Sequence, residues 1–332
     1  MRSLDITVLE SALGWLQQQR SIWLCTVLHT WGSAPRAPGA LLAASDAGAV
    51  SGSLSGGCIE ESFLRRLAAG EFRQPSQRVR YGAGGLQPDI SLPCGGSLEV
   101  LIEYLPPSAA AERYLAQLLS AQRGECSLQK RGVTGQFARL TPCEKATPQS
   151  EIRFDDQQVS LKLTGSTTLL IAGLSPVADY CIHLAQMLGY AVVLCEHREQ
   201  PLAAFLANST LSDGVTVIKQ FPARYLEQHQ CAAHTAILCL THDARIDDLT
   251  LMEACRGAAF YIGALGSPRN SMHRLARLAA CGDLTEEQLA RIAAPVGLPI
   301  GSKTPPEIAL AIMADIVRVK TGAEGSESAA HR

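Results

Sequence analysis

From Thr167 onward the sequence alternates two kinds of segment, and that alternation leaves few architectures open. Short apolar runs at 167–172, 191–195, 215–218, 235–240 and 258–262 are separated by stretches with helical spacing. Each run is continuously apolar, which suits strands buried on both faces of a parallel sheet. Strands and helices taken in turn predict a doubly wound α/β sheet. Two helix starts follow. Thr285-Glu286-Glu287-Gln288 reads as a capping box with Leu284 and Leu289 as its hydrophobic staple, and Thr304-Pro305-Pro306-Glu307 as another with Pro305 at the first helical position. The small, polar end from about Gly322 is expected to be disordered.

The first 106 residues follow another plan. Ile6, Leu9, Leu13 and Leu16 predict a helix over 5–19, and 22–28 a strand. A Gly/Ser/Pro-rich stretch from Gly32 to Gly57 contains a short strand at 40–44; a helix begins near Cys58, and strands are expected at 78–81 and 98–104. The expected organisation is α/β overall: an N-terminal α+β domain over 1–106, a connecting region over 107–165 with a helix at 109–122 and hairpins between 126 and 163, a Rossmann-like doubly wound parallel-sheet domain over 166–320, and a tail over 321–332.

Composition narrows the function. With 332 residues, 47% apolar and 18% charged, the chain can bury large cores. A net charge of -2 with no basic block argues against a nucleic-acid partner. Met1-Arg2-Ser3-Leu4-Asp5 lacks the regions of a signal peptide, and the most apolar run, Thr167 to Ala178, is short and broken by Gly173 and Pro176. A cytoplasmic setting is expected, with free thiols among the 11 cysteines. Cys195 and Cys239 lie in apolar runs and read as buried; no CxxC pair suggests a zinc ribbon.

Three N-terminal segments carry chemistry. In Gly52-Ser53-Leu54-Ser55-Gly56-Gly57-Cys58-Ile59-Glu60, a cysteine meets the start of a helix, whose free N–H groups favour a thiolate that can act as nucleophile or soft metal ligand. A tight turn with a buried cysteine is the other reading. Pro93-Cys94-Gly95-Gly96 repeats the pattern, and the two cysteines are expected to bracket one pocket. Arg36, between Pro35 and Pro38, suits a phosphate or carboxylate, or is a surface arginine on a turn.

Gly173-Leu174-Ser175-Pro176-Val177-Ala178 occupies the dinucleotide-binding position after the first strand of the sheet, with Ser175 where a second glycine normally lets a pyrophosphate approach. Glu196 closes the next strand at the distance expected of a ribose-binding acid. Gly263 and Gly266, in Tyr261-Ile262-Gly263-Ala264-Leu265-Gly266-Ser267, fall at the carboxyl edge of the sheet, as does Pro295-Val296-Gly297-Leu298. Loop geometry alone also explains these glycines.

Taken in order, Gly32-Ser33-Ala34-Pro35-Arg36, Gly56-Gly57-Cys58-Ile59-Glu60, Cys94-Gly95-Gly96, Thr241-His242-Asp243, Tyr261 to Ser267, Pro295 to Leu298 and Thr304 to Ala309 resemble the XdhC/CoxI family, the xanthine dehydrogenase accessory proteins. The resemblance spans nearly the whole chain. It implies a non-catalytic chaperone, commonly dimeric, that binds molybdenum cofactor as cargo. Such a protein protects the cofactor while a cysteine desulfurase supplies its sulfido ligand, and inserts it into a xanthine dehydrogenase-type molybdenum hydroxylase of purine catabolism. The chain departs from the family pattern at Ser175, at Glu196 with Arg198 following, and at Pro299.

Under this resemblance, Cys58 is the first choice for a molybdenum-proximal or sulfur-handling ligand on softness grounds, and Cys94 the second. Arg36 would pair with the cofactor phosphate, Glu60 would orient a pterin amine or favour the helix start by its charge, and Gly56, Gly57, Gly95 and Gly96 would let backbone approach the pterin. The rivals are an NAD(P)-dependent oxidoreductase built on the C-terminal sheet, using Gly173, Glu196, Gly263 and Gly266, and a non-catalytic interaction protein without cofactor.

Overall fold

The structure, a computed structural model, describes residues 4–31, 36–55, 57–82, 85–86, 97–143, 152–155, 157–163, 165, 167–229 and 231–322. Gly56, Cys94, Gly95, Gly96 and the end of the chain from residue 323 lie outside them. The chain forms two compact units that divide near residue 165.

The first unit runs α1 (Leu4–Gln17), β1 (Ile22–Trp31), β2 (Leu41–Ser45), β3 (Val50–Gly52), α2 (Cys58–Ala68), β4 (Ser76–Tyr81), β5 (Ser97–Leu105), α3 (Ala109–Gln122), β6 (Leu128–Val133), β7 (Arg139–Pro142), β8 (Ile152–Phe154) and β9 (Gln158–Leu163). An antiparallel sheet has the order β3-β2-β1-β5-β4, and a second has β7-β6-β9-β8. Side chains of a strand alternate between faces. Accordingly Trp23, Cys25, Val27, Val100 and Ile102 pack with Ile59 and Phe63 of α2, while Ile22, Leu24, Ala43 and Leu105 pack with Leu9 and Leu16 of α1 and Leu115 of α3. Leu28 and Leu101 meet Val159 and Leu161 of β9 and join the two sheets.

Register fixes where the loops emerge. Thr26 pairs with Leu41, Leu42 with Gly52, Trp31 with Ser97, and Tyr81 with Leu98. The β1–β2, β3–α2 and β4–β5 connections therefore all leave from one edge of the five-stranded sheet. Gly52 makes the second of these possible. Its φ of +88° favours glycine, and a Cβ there would sit 2.3 Å from the Leu41 carbonyl oxygen.

The second unit runs β10 (Thr168–Ala172), α4 (Pro176–Met187), β11 (Ala191–Cys195), α5 (Glu199–Ala207), α6 (Ser209–Ser212), β12 (Val215–Ile218), α7 (Pro222–Gln228), β13 (Thr235–Cys239), α8 (Ala244–Arg256), β14 (Tyr261–Ala264), α9 (Pro268–Cys281), α10 (Glu286–Ala290), β15 (Ile292–Ala293) and α11 (Pro305–Thr321). Its six strands are parallel in the order β12-β11-β10-β13-β14-β15. Leu169 and Ile171 pack with α4 and α11, while Leu170 and Ala172 pack with α8 and α9. Burial on both faces is the reason the strand sequences read as unbroken apolar runs. The fold is the expected α/β arrangement, with two corrections of detail. β14 starts at Tyr261, with Arg291 donating to the carbonyls of Gly257 and Ala259 just before it, and the short β15 extends the sheet.

Among the described residues, no helix is long and apolar enough to cross a membrane. Burial pushes the thiols of Cys181 and Cys195 up to about 12, so these cysteines serve as small apolar side chains.

One buried ion pair crosses between the sheets of the first unit. The ammonium of Lys130 on β6 meets Glu103 on β5, both 2% exposed, and the Tyr114 hydroxyl donates to the same carboxylate at 2.7 Å. Removing one partner of such a pair strands the other charge. Lys130→Met is expected to cost about 3–5 kcal/mol in a urea melt. The double variant Glu103→Gln/Lys130→Met should recover at least half of that loss; a double variant no more stable than the single one would show that the pairing is not what matters.

Candidate functional site

Glu60 organises the β3–α2 connection. One carboxylate oxygen accepts hydrogen bonds from the Ser53 hydroxyl (2.7 Å) and from the amides of Leu54 and Ser55 (2.8 Å each); the other accepts from the Ser55 hydroxyl (3.0 Å) and the Gly57 amide (2.8 Å). The carboxylate thus holds the loop that precedes α2 in shape. Gly57, the N-cap, has φ +155° and ψ -93°, a conformation open to glycine, with no atom within 4 Å of where a Cβ would point. The backbone of Cys58 opens α2, as the sequence predicts. Glu60 and Glu61 lie in the same first turn, so the helix start already carries negative charge of its own.

Arg36 lies in the β1–β2 connection. Its guanidinium stands 3.8 Å from Asp5 of α1, and its Nε is buried with no hydrogen-bond partner among the described residues. Asp5 also accepts from the Leu41 amide at 3.2 Å. Burial raises the Asp5 pKa, against the pull of that amide and of Arg36.

A row of cations and aromatics on the same edge is not evident from the sequence. His29 pairs with Glu99, and Glu99 with Arg80, across β1, β5 and β4. The Arg80 guanidinium lies 4.3 Å above the Trp31 ring, with its Nε buried and without a hydrogen-bond partner among the described residues. His29 meets Trp31 edge-on at 4.4 Å. Arg78 pairs with Glu99 at 2.5 Å and lies 5.4 Å from the Phe154 ring. The two-residue spacing of His29 and Trp31, and of Arg78 and Arg80, was the available signal.

In the second unit the order of strands reverses between β10 and β13, where such sheets usually bind ligands. Here the protein's own groups fill the turn. Gly173, at φ +86°, lies against Thr241, whose Cγ2 would be 2.2 Å from an added Cβ. The Ser175 hydroxyl caps α4 by accepting from the Ala178 amide at 3.2 Å. Glu196 is fully buried and accepts from the Leu174 amide (2.8 Å), the Arg198 amide (2.8 Å) and the Arg198 guanidinium (2.9 and 2.6 Å). Both carboxylate oxygens of Glu196 thus face the turn and the Arg198 side chain. The residues at this turn do not fit a dinucleotide. Gly263 is also a packing position, since a Cβ there would come within 2.4 Å of Val296; Gly266 lies in the loop before α9.

The XdhC and CoxI family model matches residues 15–82, and the XdhC Rossmann domain model matches residues 169–316. The chain belongs to the XdhC/CoxI family. It is 28% identical over 322 residues to the molybdenum cofactor insertion chaperone PaoD of Escherichia coli, covering 95% of this chain and 88% of that protein. It is 24% identical to a Bacillus subtilis protein described as a probable xanthine dehydrogenase subunit, covering 92% and 95%. A crystal structure from Bacillus halodurans described as a xanthine dehydrogenase shares the fold, with a TM-score of 0.71 at 21% identity over 98% of both chains. The segment matched to the XdhC and CoxI model holds Arg36, Cys58 and Glu60 together with the row of Trp31, Arg78 and Arg80.

Two outcomes test this geometry. Glu60→Gln should lower stability by about 1–2 kcal/mol, because charge-assisted bonds to the loop are lost. Amide exchange should accelerate at Leu54, Ser55 and Gly57, and unchanged exchange there would contradict the assignment. The Glu196 pKa is lowered: burial opposes ionisation, but the bonds from Arg198 and the Leu174 amide overcome it. Its ionised form therefore stabilises the fold above the ordinary value of 4.5, and that contribution is lost as pH falls through the lowered value. Arg198→Leu should accordingly cost about 2 kcal/mol near neutrality and progressively less below pH 4.5, as read from denaturant midpoints.

Proposed function

We propose that this protein carries molybdenum cofactor and inserts it into a molybdenum hydroxylase of the xanthine dehydrogenase type. Similarity over almost the full length to a chaperone named for that insertion is the observation that carries the reading. A homodimeric carrier and a cysteine desulfurase as sulfur donor belong to the same proposal.

The first unit supplies chemistry suited to such a cargo, an anionic pterin dithiolene bearing a phosphate. Arg36 and Arg80 each keep a buried guanidinium nitrogen without a hydrogen-bond partner among the described residues, and both lie on the edge from which the cysteine loops leave. A guanidinium with an open donor is a natural phosphate contact. Cys58, at the first position of α2, is the proposed soft ligand to the metal centre, and Cys94 the supporting one. Glu60 holds the loop before Cys58 in shape. The filled turn at Gly173 counts against the rival reading of an NAD(P)-dependent oxidoreductase.

Anaerobic isolation from a cofactor-producing host tests the proposal. The wild-type chain is expected to carry molybdenum and pterin in near-equal amounts, and Cys58→Ala to retain at least ten-fold less and to activate apo-hydroxylase correspondingly poorly. Wild-type protein isolated without either component would defeat the carrier reading. Full delivery by Cys58→Ala would remove that residue from the mechanism.

A further inference from the structure

With the turn after β10 filled from within, the next opening along the carboxyl edge of the parallel sheet lies between the ends of β13 and β14. A cavity of about 430 Å³ occupies it. That volume falls in the range of small-molecule sites and exceeds what a bare ion needs. His242, Gly266, Asn270, His273, Arg274 and Arg277 line it, together with the carboxylate of Asp247.

Four observations give the cavity its chemistry. The helix α9 starts at its rim and runs for 14 residues with no acidic residue in its first turn, so the positive end of its dipole is not neutralised from within. The Ser267 hydroxyl accepts from the Asn270 amide at 3.2 Å, and Asn270 is one of the residues of the wall. Outside the lining residues, the Ser271 hydroxyl is 2% exposed and, among the described residues, has no hydrogen-bond partner. It lies directly behind Gly266: a Cβ on that glycine would approach it to 3.0 Å. His242 is held with φ +61°, a left-handed conformation that a non-glycine residue adopts at a cost, at the end of β13.

The charges are arranged by side chains behind the wall. Arg274 is fixed by Asp248 (2.9 Å), Asp247 (3.4 Å) and the Leu265 carbonyl (2.7 Å). Arg277 reaches Asp248 at 2.8 Å and is half exposed. Asp247 in turn accepts from the Thr241 hydroxyl at 2.6 Å. The two guanidinium groups are thus oriented, while both histidines and Asn270 stand among the residues that line the opening.

We propose that this cavity binds a phosphorylated small molecule, its phosphate or pyrophosphate seated at the start of α9 among Asn270, Arg277 and the two histidines. The site is displaced along the sheet from the turn that ordinarily takes a dinucleotide. It stands on the second unit alone and does not depend on the cofactor reading.

Calorimetric titration of the full chain with inorganic pyrophosphate, and separately with ADP, tests the assignment. Asn270→Asp places a negative charge in the first turn of α9, where it favours the helix and opposes an anion. It is expected to fold as well as the wild type and to weaken pyrophosphate binding at least ten-fold. Arg277→Gln should weaken it about five-fold. Ser175→Asp, at the filled turn, should leave affinity unchanged. Tighter binding of ADP than of pyrophosphate would identify a nucleotide as the ligand, and equal binding a simpler phosphate compound; both support the site. No binding of either probe, or loss with Ser175→Asp but not with Asn270→Asp, would overturn it.

Discussion

The antiparallel pairing of β1 with β5 is the constraint on which the first unit depends. These strands run side by side from Ile22 against Leu105 to Trp31 against Ser97, with one irregularity between Val27 and His29. Both are buried on two faces for most of their length. Apolar side chains alternate toward α2 on one side and toward α1 and α3 on the other, so neither strand can shift without exposing a whole face. At the end of this pairing, polar and aromatic residues replace the apolar ones. His29, Trp31, Glu99, Arg78 and Arg80 therefore cluster where the loops begin, as a result of strand register rather than of proximity in sequence.

Two glutamates illustrate how the protein treats an acidic residue near a glycine turn. Glu60 and Glu196 each follow such a turn, and each directs its carboxylate back onto the amides of that turn. Buried amides need acceptors, and a carboxylate that takes several at once holds a loop that has no regular hydrogen bonding of its own. The glycine conformations that make these turns possible and the carboxylates that hold them are parts of one arrangement. The same economy explains why the turn at Gly173 keeps the shape of a nucleotide-binding turn while its space and donors are already taken.

The parallel sheet was legible in the sequence because burial on both faces writes itself as continuous apolar runs, and the helix starts at Thr285 and Thr304 because the capping pattern is local; both form as read. The helix start at Cys58 was legible for the same reason. The row of Trp31 and Arg80 was not, because it joins strands about fifty residues apart and depends on a register that no local pattern encodes. The direction of the Glu60 and Glu196 side chains was equally hidden. An acid beside a glycine loop looks the same in sequence whether it faces a ligand or its own backbone. The polar β7 and β8 strands offered little alternation to read, and their order in the second sheet comes from pairing with β6 and β9.

The buried pair of Lys130 and Glu103 also acts as a key for assembly. Lys130 pairs with Leu161 on β9 and Leu140 on β7, so the positions of all three strands are tied to one ammonium group. A slip of β6 by a single residue would turn that ammonium to the opposite face of its sheet and leave Glu103 enclosed without a cation. Apolar contacts between the sheets tolerate small displacements, but a charge in that position does not. Misregistered forms of the second sheet are thereby penalised by electrostatics before close packing can distinguish them.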